Sequence, residues 1–207
     1  MQSSRSTFGR QAALVAAVLG WLFDGFEMGL FPLVGSRALA DLLPAGSTAA
    51  DRDAWFGVIT AVFLVGAASG GVLFGWLGDR IGRVRAMSVS ILTYAVFTGA
   101  CGLATEAWHL ATLRSIASLG MGGEWALGVA LVSELWPDAS RAFVAALVGA
   151  AANVGFLLVA AVSFGLVRLI DAAAVGLRGL GLAESSVASL VHGDGWRLLM
   201  MAGSLPA

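Results

Sequence analysis

Residues 54–78 read AWFGVITAVFLVGAASGGVLFGWLG, a run of 25 residues without a charge between Asp53 and Asp79. A helix rises 1.5 Å per residue, so about 20 apolar residues cross the roughly 30 Å hydrocarbon core of a bilayer. In lipid, an open strand would leave its backbone hydrogen bonds unmade, whereas a helix satisfies them internally. The stretch therefore predicts a membrane-spanning helix. The positions of the charges divide the rest of the chain into similar apolar runs.

The chain as a whole is strongly apolar. Of its 207 residues, 58% are hydrophobic and 12% are charged, and the mean hydropathy is +0.88. A soluble domain of this size has too little interior to bury so much apolar surface. The net charge of −1, without any basic run, argues against nucleic-acid binding. The composition indicates an integral membrane protein whose surroundings are the lipid bilayer.

Few residues are suited to catalysis or to metal binding. All 12 basic residues are Arg, so a lysine-containing phosphate loop and a lysine Schiff base are both impossible. Cys101 is the single cysteine, and His109 and His192 are distant from it and from each other in sequence. We therefore expect no enzyme activity, no metal and no cofactor.

The positions of the charges predict the other spans. Two further uncharged runs, 86–105 and 142–167, are long enough to cross a bilayer, and a last apolar run begins at Trp196. Two more apolar stretches are interrupted by charges. The sequence thus predicts a single transmembrane domain over residues 1–207, with helices at approximately 11–34, 54–77, 86–105, 109–136, 142–168 and 196–207, the last incomplete.

Arginines are concentrated in short segments on one side of this predicted bundle. Such segments remain in the cytoplasm by the positive-inside rule. The expected topology is a multi-pass protein of the cell (inner) membrane with a cytoplasmic N-terminus. The arginines concerned are Arg5, Arg10, Arg80, Arg83, Arg85 and Arg141.

The first predicted helix carries two acids, Asp24 and Glu27, which lie three residues apart and so share one face. A charge at mid-bilayer costs about 2.5–3.5 kcal/mol on insertion scales, so each acid should face a cavity or a partner. Arg114 on the fourth helix is the natural partner for one of them. Two interpretations remain open: an acid that binds and releases a proton, or a static ion pair that joins the two helices.

Two other polar residues lie within predicted spans. Glu124 is ten residues beyond Arg114, about 15 Å along the helix, so these two side chains cannot pair. Glu124 is expected either to line a central cavity or to bond a neighbouring helix. Asn153 in the fifth helix is a candidate polar contact within the bundle.

The predicted helices repeat a pattern. A glycine-rich helix that carries charges is followed by two plainer helices, first in helices 1–3 and again in helices 4–6. Repeats of three helices with opposite topology, with binding groups at mid-depth, are typical of transporters.

The loop between helices 2 and 3 reads GWLGDRIGRVR over residues 75–85. Gly82 permits a tight turn, Asp79 can accept hydrogen bonds from helix N-terminal amides, and the arginines can form ion pairs. The segment resembles the G-x-L-x-D-R-x-G-R-R/K signature of the major facilitator superfamily, with Val84 in place of the second basic residue.

A second resemblance lies in helices 1 and 4. Residues 114–125 read RSIASLGMGGEW, and residues 24–27 read DGFE. Both are similar to segments of the metabolite:proton and aromatic acid:proton symporter branches of that superfamily. The resemblance implies an all-α membrane protein: the N-terminal six-helix bundle of a major facilitator fold, a 3+3 inverted repeat with its sixth helix truncated.

The resemblance also implies a function, which is transport of a small organic metabolite (an organic acid or a sugar) by alternating access, with proton symport. Asp24 would carry the proton and pair with Arg114 when ionised, and Glu27 would tune that site or contact substrate. Glu124 and Asn153 are the candidates for the substrate cavity. A cytoplasmic charge latch would consist of Gly75, Asp79, Arg80, Gly82, Arg83, Glu134 and Arg141.

Members of the superfamily have two six-helix halves, with substrate bound between them. The expected partners are therefore a small-molecule substrate, a proton and a C-terminal half, which a second chain could supply. The alternative is a truncated or split membrane segment that has no transport activity of its own.

Overall fold

The computed structural model describes residues 2–135 and 138–204, with side chains described from residue 11 onward except at 12, 13, 132, 135, 138–141 and 194. These residues form helices joined by short connections, and no strand is present among them. The all-α prediction is confirmed. In chain order the helices are α1 (Gln2–Leu42), α2 (Ala49–Ile81), α3 (Arg83–Cys101), α4 (Ala107–Leu135), α5 (Asp138–Gly179) and α6 (Glu184–Ala202).

Within the described residues, four helices are both long and apolar enough to cross a membrane: α1, α2, α3 and α5. α4 has 29 residues and also has the length, but Arg114 and Glu124 lie in its middle. α1 and α5 extend past their predicted spans, with 41 and 42 residues. At 1.5 Å per residue each is about 60 Å long, roughly twice the hydrocarbon thickness, because helical hydrogen bonding continues where the apolar run stops.

α6 begins at Glu184, twelve residues before the Trp196 at which the sequence predicts the last helix. Gly193 and Gly195 have φ angles of +59° and +66°, which a regular right-handed helix does not contain. The two glycines therefore separate an outer segment of α6 from the apolar part that starts at Trp196. The outer segment is too polar to be detected as part of a span.

The ends of α2 are set by local chemistry. The hydroxyl of Thr48 accepts a hydrogen bond from the backbone N–H of Asp51, and the Asp51 carboxylate accepts one from the backbone N–H of Thr48, which is a capping box. At the other end Gly82, with φ +93°, is the single residue between α2 and α3. A side chain at that φ is strained, which explains the glycine in this turn.

Glycines allow α2 and α4 to pack closely. A Cβ added at Gly70 of α2 would overlap the backbone of Leu119, and one added at Gly122 of α4 would overlap the backbone of Ala67. Backbones at this separation leave no room for a methyl group, so the α2–α4 contact depends on glycine at both positions.

α1 and α5 are joined in the same way. An added Cβ at Gly25 would overlap Ala152, and one at Gly155 would overlap Leu22. In an inverted repeat of three helices, α1 corresponds to α4 and α2 to α5, so the α1–α5 contact is the counterpart of the α4–α2 contact. Glycine packing is thus present in both of the corresponding contacts.

The main apolar core lies at one end of the bundle, where α1, α2, α4 and α6 meet beside the end of α3. Its fully buried members include Leu39, Ile59, Leu110 and Trp196, one from each of these helices. Leu39 and Trp196 are 157 residues apart in sequence, so this core joins the beginning of the chain to its end.

We expect Gly70→Ala to destabilise the protein by about 1–3 kcal/mol, because the methyl group overpacks the contact with Leu119. Gly57→Ala is the matched control, since Gly57 lies on the same helix with nothing within 4 Å of an added Cβ. The control should be neutral or slightly stabilising. Unfolding of the purified protein in detergent measures both, and equal stability of the two variants would contradict this packing.

Candidate functional site

A buried ion pair joins α1 to α4. Arg114 Nη1 lies 2.9 Å from Glu27 Oε1, and the two side chains are only 3% and 1% exposed. The guanidinium also lies over two aromatic rings, with its Cζ 4.7 Å from the centroid of Phe31 and 4.8 Å from that of Phe63. Each contact favours the cation in a low-dielectric interior. The fourth-helix arginine therefore has an acidic partner on the first helix, as the sequence predicted.

The acid in that pair is Glu27, whereas the resemblance placed Asp24 opposite Arg114. Asp24 lies three residues earlier on α1, about 4.5 Å closer to the N-terminal end of that helix. At that depth it is buried and meets Trp125, whose Nε1 donates a hydrogen bond of 2.7 Å to Asp24 Oδ2. The expected Asp24–Arg114 pair is therefore replaced by two separate contacts, one for each acid.

Trp125 belongs to an aromatic pair. Its ring lies 5.5 Å from that of Trp21, with an angle of 31° between the planes. Trp21 precedes Asp24 by one helical turn, so the two residues share a face of α1. Trp125 belongs to the RSIASLGMGGEW segment, but no role for it was predicted from the sequence. The available sequence signal for Trp125 was its position directly after Glu124, a charged residue within a predicted span.

Glu124 is buried and faces α1. A Cβ added at Gly20 would overlap its carboxylate, so the small residue on α1 makes room for the acid on α4. Glu124 Oε2 and Asp24 Oδ1 have no hydrogen-bond partner among the described residues. The structure therefore places Glu124 against Gly20, one helical turn before Asp24 on α1.

Asn153 is not brought to this place. Its side chain is exposed on α5, and its Nδ2 donates a 3.3 Å hydrogen bond to the carbonyl of Gly149 on the same helix. The two residues predicted for the substrate cavity thus lie in different environments.

A cavity of about 260 Å³ opens beside the ion pair. Arg114 is the charged residue of its lining, and the remaining lining residues are largely apolar and aromatic. Phe31 stacks on Phe56 with a centroid distance of 4.8 Å, which fixes one wall. A largely apolar and aromatic lining with a few oriented polar groups is characteristic of small-molecule sites. The full lining is Met28, Phe31, Pro32, Phe56, Thr60, Phe63, Leu64, Arg114 and Phe156.

These phenylalanines were not predicted from the sequence as site residues. Phe56 and Phe63 are seven residues apart, two helical turns, and therefore lie on one face of α2. That spacing is the only signal in the sequence. It becomes informative once Arg114 is known to lie beside the same face.

The predicted cytoplasmic latch is centred on Arg83. Its Nη2 lies 2.9 Å from Asp79 Oδ1, and its Nε donates a 3.1 Å hydrogen bond to Glu134 Oε1 on α4. Arg80 instead lies over the ring of Trp76, 4.3 Å from its centroid. These groups are partly exposed, so each pair contributes little to stability by itself.

The other members of the predicted latch have different positions. Gly82 forms the turn between α2 and α3, and Gly75 has open space at its Cα. The side chain of Arg141 lies outside the described residues.

We expect Glu27→Gln to lower the free energy of unfolding by about 3–5 kcal/mol, because it leaves Arg114 charged and unpaired in the interior. Glu134→Gln is the matched control: it also removes an arginine partner, but an exposed one, and should cost less than about 1 kcal/mol. Chemical unfolding in detergent compares the two. A Glu27→Gln protein as stable as the control would contradict the importance of the buried pair.

Comparison with known proteins places this geometry in a family. The family model described as Major Facilitator Superfamily matches residues 16–180. A putative metabolite transport protein of Haemophilus influenzae is 39% identical over 145 residues, which are 70% of this chain and 34% of that protein. The niacin transporter NiaP of Acinetobacter baylyi is 33% identical over 70% of this chain and 32% of its own length. The sialic acid transporter NanX of Escherichia coli is 33% identical over 73% of this chain and 36% of its own length.

Solved structures agree at the level of the fold. An inward-facing bacterial homologue of the lysosomal transporter Spinster has a TM-score of 0.76 at 21% identity, and covers 95% of this chain with 40% of its own. The proton:xylose symporter XylE has a TM-score of 0.75 at 20% identity, with 95% and 42% covered. The chain thus spans about a third of the length of the curated relatives it matches. On this evidence the predicted fold is confirmed, and the chain belongs to the major facilitator superfamily.

Proposed function

We propose that this chain forms the N-terminal six-helix unit of a transporter that moves a small organic metabolite across a bacterial inner membrane. The substrate would be an organic acid or a sugar, and transport would proceed by alternating access as symport with protons. The relatives support the substrate class, since their names include niacin, sialic acid and gentisate transporters. None of these proteins is described as an enzyme, and we propose no catalytic activity for this chain.

The observation that carries the proposal is the aromatic cavity beside the Glu27–Arg114 pair. A cavity of about 260 Å³ is of a size to admit part of a small organic molecule, and Arg114 offers it the one strong hydrogen-bond donor in the lining. The rings of Phe31 and Phe63 offer apolar surface on either side of the guanidinium. Substrate binding between this unit and a C-terminal half would complete the site.

Proton coupling is supported by the environment of Asp24. The carboxyl is buried, has no basic partner among the described residues, and receives one hydrogen bond from Trp125. Burying an unpaired negative charge costs free energy, so binding a proton at this position offsets that cost. A group of this kind can gain a proton on one side of the membrane and lose it when water reaches it from the other.

Alternating access needs a contact that closes one side. We propose that Asp79, Arg83 and Glu134 supply it at the cytoplasmic end and favour the outward-facing state. Arg83 connects the α2–α3 turn to the end of α4, so it links two parts of the unit that must move together. We propose a cytoplasmic N-terminus as well, which the arginine distribution supports.

The test is uptake by the full-length protein in liposomes, with labelled niacin, gentisate and sialic acid as probes. We expect at least one probe to accumulate when an inward proton gradient is imposed and to stop accumulating when the gradient is collapsed. Asp24→Asn should abolish gradient-driven accumulation while it leaves exchange of the same probe intact, because the amide cannot carry the proton.

Asp53→Asn is the matched control, since Asp53 is exposed at the start of α2 and should leave both activities unchanged. Full accumulation by Asp24→Asn would remove Asp24 from the coupling mechanism. Accumulation by the wild-type protein that ignores the proton gradient would overturn symport itself.

A further inference from the structure

The outer segment of α6, residues 184–192, contacts the end of α1 through a histidine and a carboxylate. His192 Nδ1 lies 2.9 Å from Asp41 Oδ1 and 3.0 Å from Asp41 Oδ2. The Asp41 side chain is 20% exposed, whereas that of His192 is 70% exposed, so water reaches the imidazole directly. The protonation of the histidine therefore follows the pH of the surrounding solution.

The same aspartate also holds the apolar part of α6 that follows. Trp196 is fully buried, and its Nε1 donates a 3.0 Å hydrogen bond to Asp41 Oδ2. Arg197 lies over the Trp196 ring, with its Cζ 4.3 Å from the centroid. Its Nη1 donates to the backbone carbonyls of Gly102 and Ala104. The apolar part of α6 is thus fixed to α1 and to the α3–α4 connection without any contribution from a histidine.

Two glycines connect the outer segment to this fixed part. Gly193 and Gly195 have φ angles of +59° and +66°, which glycine adopts at the least cost. An added Cβ at Gly193 would lie 2.9 Å from the Trp196 ring, and one at Gly195 would lie 2.9 Å from Ile170 of α5. The backbone can therefore change direction at these two residues when the histidine contact opens.

A cavity of about 380 Å³ lies between the end of α5 and the outer segment of α6. Val191 of the outer segment lines it together with apolar residues of α5, and Asp171 and Arg178 supply its charges. At its other end the segment is joined to α5 by Arg178, whose Nη2 lies 2.8 Å from Glu184 Oε1. Both of these side chains are largely exposed, so that pair holds the segment only weakly. A movement of the outer segment would open or close this cavity.

The other described charged groups around the contact are arginines and carboxylates, which keep their charge over the range in which histidine ordinarily titrates. Arg197 is a second cation that acts on Asp41. Arg37 lies one helical turn before Asp41 on α1, α5 contributes the aspartate and the arginine of the cavity, and α3 carries no charged residue after Arg85. The side chain of Asp194 lies outside the described residues. Among the described groups, histidine protonation is therefore the charge change expected here between about pH 5 and 8.

We propose that residues 184–192 form a strap over this cavity, hinged at Gly193 and Gly195, and that acid fastens the strap by protonating His192 beside Asp41. An imidazolium donates a charge-assisted hydrogen bond to the carboxylate, whereas a neutral imidazole offers a weaker N–H donor at only one of its nitrogens. The strap is therefore held most firmly when the histidine is protonated, and it loosens as rising pH removes that proton.

The strap lies far from the groups proposed for proton coupling. α2 begins six residues after α1 ends near Asp41, and its other end adjoins Arg83, so the strap and the Arg83 contacts are at opposite ends of the bundle. Under the proposed topology the strap is on the outer side of the membrane and responds to the pH there. The side of the membrane is the one step that rests on the proposed function.

The test is amide hydrogen exchange of the full-length protein in lipid nanodiscs at about pH 5.5 and about pH 8, with rates corrected for the intrinsic pH dependence of exchange. We expect residues 184–192 to open about threefold more at the higher pH, which is the size of effect that one exposed charged pair produces. The uncharged span of α2 should keep equal protection at both pH values. His192→Gln retains a hydrogen-bond donor that cannot be charged, so its outer segment should show no pH-dependent difference.

His109→Gln is the matched control, because His109 is the other histidine of the chain and lies at the same end of the bundle, with its Nδ1 3.0 Å from Thr105 Oγ1. It should keep the wild-type response. Asp41→Asn should lose the response, because an acceptor oxygen remains for Trp196 but the negative charge is gone.

Three results would overturn the strap: equal corrected exchange of the wild-type segment at the two pH values, a His192→Gln variant that keeps the difference, or an equal difference in α2, which would indicate global opening. These measurements use neither a substrate nor a proton gradient. The strap and the proposed symport can therefore fail separately.

Discussion

The buried ion pair between Glu27 and Arg114 is the interaction on which the interior of this unit depends. In a bilayer neither charge is tolerated alone, so α1 and α4 must lie with these two residues at the same depth. That requirement fixes how far one helix is displaced along the other. Asp24, one turn away from Glu27, is consequently placed beside Trp125, and the aromatic rings that flank Arg114 become the wall of the cavity.

The glycines make this arrangement possible. Helices in lipid gain little from the hydrophobic effect when they associate, so they must approach closely enough for backbone atoms to touch. Gly70 and Gly122 allow this between α2 and α4, and Gly25 and Gly155 allow it between α1 and α5. The two contacts correspond under the inverted repeat: the charged helix α1 packs on the uncharged span of α5, and the charged helix α4 packs on that of α2. The polar faces of α1 and α4 then meet in the interior.

The sequence was sufficient to predict the helical membrane fold, because gaps between charges mark helices wherever the chain must span lipid. It could not predict the helix ends: α5 continues to Gly179 although its apolar run stops before Arg168. It also could not decide which acid meets Arg114, since Asp24 and Glu27 share a face and the axial displacement of two helices is a property of their packing. Phe31 and Phe63 were missed because a phenylalanine facing lipid and one facing a cavity look alike in sequence.

The single-residue turn at Gly82 has a mechanical consequence. Consecutive Cα atoms are about 3.8 Å apart, so one residue between α2 and α3 gives the two helix ends almost no slack. A tilt of α2 must therefore also move the start of α3. Arg83 lies at that start and contacts Glu134 at the end of α4. α2, α3 and α4 are thus connected at one end, so a rocking motion of one of these helices would be transmitted to the other two.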